Sequence, residues 1–330
     1  MLSKKFRQCE KKMPKTRIFF STDIHGSEKC FIKFLNAAKF YKANILILGG
    51  DITGKAIVPI IQQSSDLFSA YFLGQKHVIE GSKKLDEFEE RIKVVGFYPY
   101  RTNAKEWDDI TANSKKFNEL FIRLQIETLK KWMKLAEERL KPQKVKVFIC
   151  PGNDDAFEID DILNESDYIV NPDGRIVKLD DYLTMIAVGN SNITPWNCPR
   201  DIPEDRLYEK LESLASKIGE LDRTIFCVHV PPYGSGLDVA PQLNNELKPV
   251  LGPGGAPIMI PVGSTAVKQA IEKYQPLLGL HGHIHESRGV TKIGRTLCIN
   301  PGSEYAEGVL RGALIDIEKG KVKDYLLTAG

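Results

Sequence analysis

Short apolar runs that stop abruptly on polar residues set the pattern of this chain. Arg17-Ile-Phe-Phe-Ser-Thr22, Asn44-Ile-Leu-Ile-Leu48, Val145-Lys-Val-Phe-Ile-Cys150 and Arg223-Thr-Ile-Phe-Cys-Val228 have the length and composition of buried strands. Between the first two, Phe31, Phe34, Leu35 and Ala38 keep helical spacing within Ser27 to Tyr41. The chain therefore opens as strand, helix, strand. Further strands are expected at 168–170, 175–178, 183–188, 290–293, 296–299, 310–317 and 321–327. The turns Asp173-Gly174, Ile293-Gly294-Arg295 and Lys319-Gly320 favour antiparallel hairpins there. Two sheets packed face to face with helices outside are the natural result.

The stretch from 60 to 142 is far longer than a crossover between strands needs. Leu120, Phe121, Leu124, Ile126, Leu129, Met133, Leu135 and Leu140 mark a long amphipathic helix over Phe117 to Leu140. A shorter helix is expected over Lys83 to Val95, with the aromatic segment Gly96 to Trp107 as a loop between them. The stretch is expected to be a mostly helical insertion, which either overhangs a site or only thickens the core. Residues 1–15 read as a basic, solvated tail and 16–330 as a single domain carrying the insertion.

Composition narrows the classes. The chain has 330 residues, 42% hydrophobic and 27% charged, as an ordinary globular protein does. A net charge of +3, from 46 basic and 43 acidic residues, is too balanced to signal nucleic acid or a membrane surface. No apolar run of membrane-spanning length occurs, and the basic tail lacks the apolar centre of a signal peptide. The six cysteines form no Cys-x-x-Cys pair, and Cys150, Cys227 and Cys298 sit in strand-like runs. A reducing, cytoplasmic location is expected, and the oligomeric state stays open.

Candidate chemistry gathers where the strands stop. Asp23-Ile-His25, Gly50-Asp51, Gly152-Asn153-Asp154-Asp155, His229 and Gly282-His283-Ile-His285 each follow an apolar run. In open α/β sheets ligands bind beyond the carboxyl ends of strands, so these ends point to one composite site. Of these, the carboxylates of Asp23 and Asp51, the amide oxygen of Asn153 and the four imidazoles suffice for two metal ions. Mixed nitrogen and oxygen donors suit mid-series divalent cations better than calcium or magnesium. Gly26, Gly49, Gly50, Gly152 and Gly282 flank the donors and allow the backbone angles that turn side chains inward.

These five motifs, in this order across residues 17–303, resemble the signature of the calcineurin-like metallophosphoesterase superfamily. Asn300-Pro-Gly-Ser303 resembles the turn that closes the second sheet in that family. The resemblance implies a four-layer α/β sandwich, two mixed sheets flanked by helices. It further implies that Asp23, His25 and His285 hold one divalent cation, that Asn153, His229 and His283 hold the other, and that Asp51 bridges both. Manganese, iron, zinc, cobalt and nickel are the expected metals. His281 lies outside the family's ligand set and is expected in the core or behind a ligand.

The implied activity is hydrolysis of a phosphomonoester or phosphodiester, on a small nucleotide-like substrate, by a hydroxide bridging the two cations. Asp51, Asp154 and Asp155 are the expected catalytic carboxylates. Asp154 stands where many members have a histidine credited with protonating the leaving group or steadying the transition state. It replaces that acid only if its pKa is raised, and unless it is protonated at working pH activated esters and anhydrides are favoured over alkyl esters. A catalytically weak interaction scaffold is the alternative, and a nuclease fits the near-neutral charge poorly. Candidate substrate contacts are Tyr98, Tyr100, Arg101, Trp107, Asn190, Asn192, Trp196 and Tyr233.

Overall fold

Alternation along the central strands decides the layering. In the computed structural model, which describes residues 15–330, β1 (Thr16–Ser21) lies parallel to β2 (Ile45–Gly49) and β2 to β7 (Lys146–Cys150). The two-residue β8 (Ile169–Val170) closes one edge of this sheet, while β17 (Arg311–Glu318) and β18 (Lys321–Ala329) extend it antiparallel beyond β1. The second sheet has β10 (Thr184–Val188), β11 (Thr224–Val228), β14 (Leu278–Leu280) and β16 (Thr296–Asn300) in parallel. Antiparallel β9 (Ile176–Lys178) and β15 (Gly289–Ile293) form its edges. The basic tail, apart from Lys15, falls outside the described residues.

Successive strand residues point to opposite faces, so each central strand feeds two cores. Ile45, Ile47, Phe148 and Cys150 meet Met185, Ala187, Ile225 and Cys227 between the sheets. Leu46, Leu48, Val147 and Ile149 face the other way, onto α1 (Glu28–Phe40), α4 (Ser114–Leu140) and α5 (Ile159–Asn164). Ile186, Val188, Phe226 and Val228 likewise cover α6 (Glu204–Ala215) and α7 (Thr265–Tyr274). The result is helix, sheet, sheet, helix. Burial on both faces explains why these strands read as unbroken apolar runs. Each such Leu, Ile or Phe removed from water stabilises the fold by about 1.5–3 kcal/mol.

Two expectations need correction. The later strands do not form a separate antiparallel set: β17 and β18 complete the first sheet, and the centre of the second is parallel. The helices α6 and α7 are the reason, since each lies between strands that it lets run in the same direction. Asp173-Gly174 is no hairpin either, because β8 pairs with β7 and β9 with β10. The chain changes sheets there. The hairpins at 293–296 and 318–321 do form.

The insertion also holds a sheet that the helical reading does not foresee. Its order is β5 (Gln75–Glu80), β4 (Leu67–Phe72), β3 (Ile57–Gln62), β6 (Tyr98–Thr102). The helix α2 (Ser82–Val94) backs it through Leu85, Phe88 and Ile92 against Val58, Ile60, Phe72 and Ile79. The expected loop 96–107 contains β6 and the start of α3 (Ala104–Thr111). The turn between β4 and β5 uses Leu73 (φ 50°) and Gly74 (φ 75°), the left-handed pair of a two-residue hairpin. Leucine at that place carries no turn signal. A small ribbon, β12 (Val239–Pro241) with β13 (Met259–Pro261), completes the strands. Among the described residues no helix is long and apolar enough to cross a membrane, and all five cysteines are unpaired.

Candidate metal centre

Both sheets end at one place. From the first come Asp23 and His25 after β1, Asp51 after β2 and Asn153 after β7. From the second come His229 after β11, and His283 and His285 after β14. The loops are zipped by backbone bonds: Asp23 N–H donates to Gly50 O at 2.9 Å, and His25 N–H to Asp51 O at 2.9 Å. Gly282 N–H donates to His229 O at 2.8 Å.

Four of the expected ligands are themselves left-handed: Asp23 (φ 52°), His25 (φ 39°), Asp51 (φ 49°) and His283 (φ 65°). Such angles cost non-glycine residues energy and persist only where the surroundings fix them. Of the flanking glycines, Gly26 (φ 77°) and Gly50 (φ 129°) take the expected positive angles, and the ligands themselves share that role. Gly282 supplies room instead, because a Cβ there would lie 2.3 Å from Asp23 Oδ2.

The donors form two separate groups and a third that overlaps them. Asp23, His25 and His285 make one, Asp51, His229 and His283 another, and His25, Asp51 and Asp154 the third. Asp51 faces both separate groups: its Oδ2 is 3.5 Å from His25 Nε2 and its Oδ1 is 3.4 Å from His229 Nε2. His25 Nε2 and His285 Nε2 stand 3.1 Å apart, and His285 Nε2 is 3.4 Å from Asp23 Oδ1. Donors about 2.1 Å from one ion lie roughly 3.0–3.4 Å from each other, so this spacing fits shared coordination. Five buried side-chain atoms among the described residues lack any hydrogen-bond partner: His25 Nδ1, Gln125 Oε1 and His281 Nε2, and on two of the expected ligands His229 Nε2 and Asn153 Oδ1. Buried polar atoms are seldom left so, and a bound cation would satisfy His229 Nε2 and Asn153 Oδ1.

On His229 and Asn153 the free donor atom is aimed by a partner on its far side. His229 Nδ1–H donates to Gly49 O at 3.1 Å, which turns Nε2 inward. Asn153 Nδ2 donates to Asp201 Oδ1 at 2.8 Å, which leaves its Oδ1 free. Asp201 Oδ2 in turn accepts from Thr194 and Cys198. Sequence reasoning misses Asp201, since no spacing links it to Asn153. Charge follows the same logic. Burial opposes ionisation of Asp23 and Asp51, but it is outweighed by His229 together with His285 at Asp23, and by His229 together with His25 and Lys55 at Asp51, which hold both below the usual carboxylate range. Burial opposes the charge on His229, yet Asp51 and Asp23 push its pKa up to about 9.

The other expected residues separate by contact. Asp154 sits at the mouth with Oδ2 3.8 Å from His25 Nδ1, and burial together with Asp51 raises its pKa. Asp155 is fully buried and accepts from Ile52 N–H, Thr53 N–H, Thr53 Oγ1–H and Gly152 N–H. Those bonds clamp the Asp51 loop to the Asn153 loop, so Asp155 positions the ligands and does not reach the centre. Burial and Asp51 push its pKa up to about 6. His281 lies in the core: Nδ1–H donates to Val228 O at 2.8 Å, and Nε2 is turned toward Gly279. Two residues that the sequence does not single out, Lys55 and Tyr305, stand beside Asp154 and His25.

Of the candidate substrate contacts, Tyr98 is buried and accepts from Gly54 N–H at 2.7 Å. Arg101 is paired with Glu89 and Asp86, and Asn190 binds Arg200 O and Lys210. Tyr100 bonds Glu106, Trp107 packs beside Tyr100, and Asn192 donates to Val262 O. Trp196 and Tyr233 remain exposed. The insertion buttresses the site from behind. Gly54 is gripped by Tyr98 and Gln125, and Ser27, the cap of α1, donates to Val94 O at 2.5 Å.

A four-layer sandwich whose strand ends gather carboxylate, amide and imidazole donors defines an α/β protein with a candidate metal site. The chain belongs to the calcineurin-like phosphoesterase family, whose model matches residues 16–287. Uncharacterized protein MJ1162 of Methanocaldococcus jannaschii is 31% identical over 160 residues, 48% of this chain and 64% of that protein. The match thus spans a little under two thirds of that relative. Among solved structures, TT1561 of Thermus thermophilus superposes with a TM-score of 0.51 at 14% identity, covering 96% of this chain and 99% of its own. Another superposes at 0.55 with 18% identity and the same coverage. These two likenesses show the fold alone.

Proposed function

We propose that this protein hydrolyses phosphomonoesters or phosphodiesters of small, nucleotide-like substrates at a centre of two divalent cations. The observation that carries the reading is Asp51, whose two oxygens face separate donor groups, one in contact with His25 and one with His229. Bound there, the cations supply Lewis acidity toward a phosphoryl oxygen and a water acidic enough to act as nucleophile near neutral pH. The residues of the chain hold and aim the donors, through Gly49 O behind His229 and Asp201 behind Asn153.

A cavity of about 420 Å³ opens beside the first group, lined by His285, Arg288, Ser303, Glu304, Tyr305 and Arg311 among others. That volume suits a small ligand and supports a small phosphorylated substrate over a long polymer. The complete donor set supports an enzyme over a scaffold. Unpaired cysteines support a reducing compartment such as the cytoplasm.

The test is a panel of nitrophenyl mono- and diesters and nucleotides, run on chelator-treated protein reloaded with manganese, iron, zinc, cobalt or nickel. Turnover that needs added metal and approaches two ions per chain is expected. Loaded protein inert toward every ester would defeat the enzyme reading, and a single bound ion would defeat the two-cation reading.

A further inference from the structure

The loop that carries Asp51 ends in a cation held against the site. Ile52 and Thr53 donate to Asp155, Gly54 N–H donates to Tyr98 Oη at 2.7 Å, and Gly54 O accepts from Gln125 at 3.3 Å. The next residue is Lys55. Its Nζ lies 3.2 Å from Asp154 Oδ2, which is itself 3.8 Å from His25 Nδ1. The side chain is 42% exposed, so the ammonium is open to solvent while its partner Asp154 belongs to a donor group with His25 and Asp51. The Lys55 charge acts on His25, Asp51, His285 and Tyr305. A lysine on a solvated face needs none of this anchoring.

A carboxylate at the mouth of a site that receives a phosphoryl group would repel it. Paired with an ammonium, it does not. Lys55 has three N–H donors on a compact charge, and Asp154 takes one. The other two are available to the oxygens of a phosphoryl group that arrives beside the pair.

We propose that Lys55 binds a phosphoryl oxygen of the substrate, with Asp154 as the residue that positions its ammonium; this rests on the phosphoesterase reading above. The assignment gives the Asp154 departure a role: it holds an ammonium donor at the loop where the resembled family has an imidazole.

The test uses the full chain loaded with manganese and inorganic phosphate as the probe, with affinity read by calorimetry and metal content measured for every variant. Lys55→Met should weaken phosphate binding about 10- to 100-fold, as loss of a charge-assisted hydrogen bond does, while Lys55→Arg keeps most of it. Lys55→Met/Asp154→Asn separates the causes. If Lys55 touches phosphate, the double variant stays weak. If the loss came only from uncovering the Asp154 charge, the double variant recovers and the proposal is overturned. Unchanged affinity in Lys55→Met, or no phosphate binding by loaded wild-type protein, overturns it too. Failure of the phosphoesterase reading shows separately, as absent turnover on the ester panel with phosphate binding intact.

Discussion

At the residue scale, the site depends on side chains that never touch the reacting group. Asp201 fixes which end of the Asn153 amide faces inward. Asp201→Ala should therefore lower metal affinity about 10- to 100-fold, the usual effect of losing a residue behind a ligand. Competitive titration with a chelating dye reads this directly, and unchanged affinity would mean Asn153 is held by its backbone alone. His281 and Asp51 make the complementary pair. Asp51→Asn removes the charge common to both donor groups, so bound metal and turnover should both collapse. His281→Ala removes a fully buried ring whose only polar bond is to Val228 O. It should cost about 2–4 kcal/mol of stability by leaving a cavity, with metal content intact. Urea unfolding and elemental analysis separate the two variants, and metal loss in His281→Ala would move that ring into the site.

At the scale of elements, the legible parts are those where one residue type has one job. Strand ends carrying Asp23, Asp51, Asn153, His229 and His283 stand out because polar residues interrupt apolar runs that are buried on both faces. The inserted sheet does not stand out. Its strands are half exposed, Pro59 and Pro99 interrupt them, and its hairpin turns on leucine. Asp155 misleads for a related reason: a carboxylate beside a ligand looks the same in sequence whether it faces the centre or the backbone behind it. Contacts between distant loops are not encoded by spacing at all. Gly96 shows their weight. A Cβ there would come within 1.9 Å of His25 O, at a φ of +84°. Gly96→Ala should thus cost at least about 2 kcal/mol and weaken metal binding through His25. Gly74 is left-handed as well, but nothing lies near it. Gly74→Ala should cost only about 1–2 kcal/mol, from strain alone, and leave metal binding unchanged. Equal effects in thermal melts and metal titrations would show that the insertion does not brace the site.

For the whole molecule, the centre is a seam: Asp23, His25, Asp51 and Asn153 come from one sheet and His229, His283 and His285 from the other. Cations bound between them would cross-link the layers at the strand ends. In the metal-free protein a proton does part of that work, on His229 between Asp23 and Asp51. Its pKa is pushed up to about 9, above the unfolded value near 6.5. The stabilisation is therefore complete below pH 6.5 and lost as pH rises through 9, at most roughly 3 kcal/mol. On the acid side, burial pushes His283 down to about 4 while Asp155 is pushed up to about 6, so the two oppose each other and the alkaline limb is the cleaner one. A divalent cation replaces the proton, so metal binding should tighten over the same window. Urea unfolding of chelator-treated and manganese-loaded protein from pH 6 to 9.5 tests this. The metal-free form should lose stability toward pH 9, the loaded form should hold, and the gap should widen. A gap that stays constant would mean that no proton sits between the carboxylates, and that the two sheets are held at this end by their backbone bonds alone.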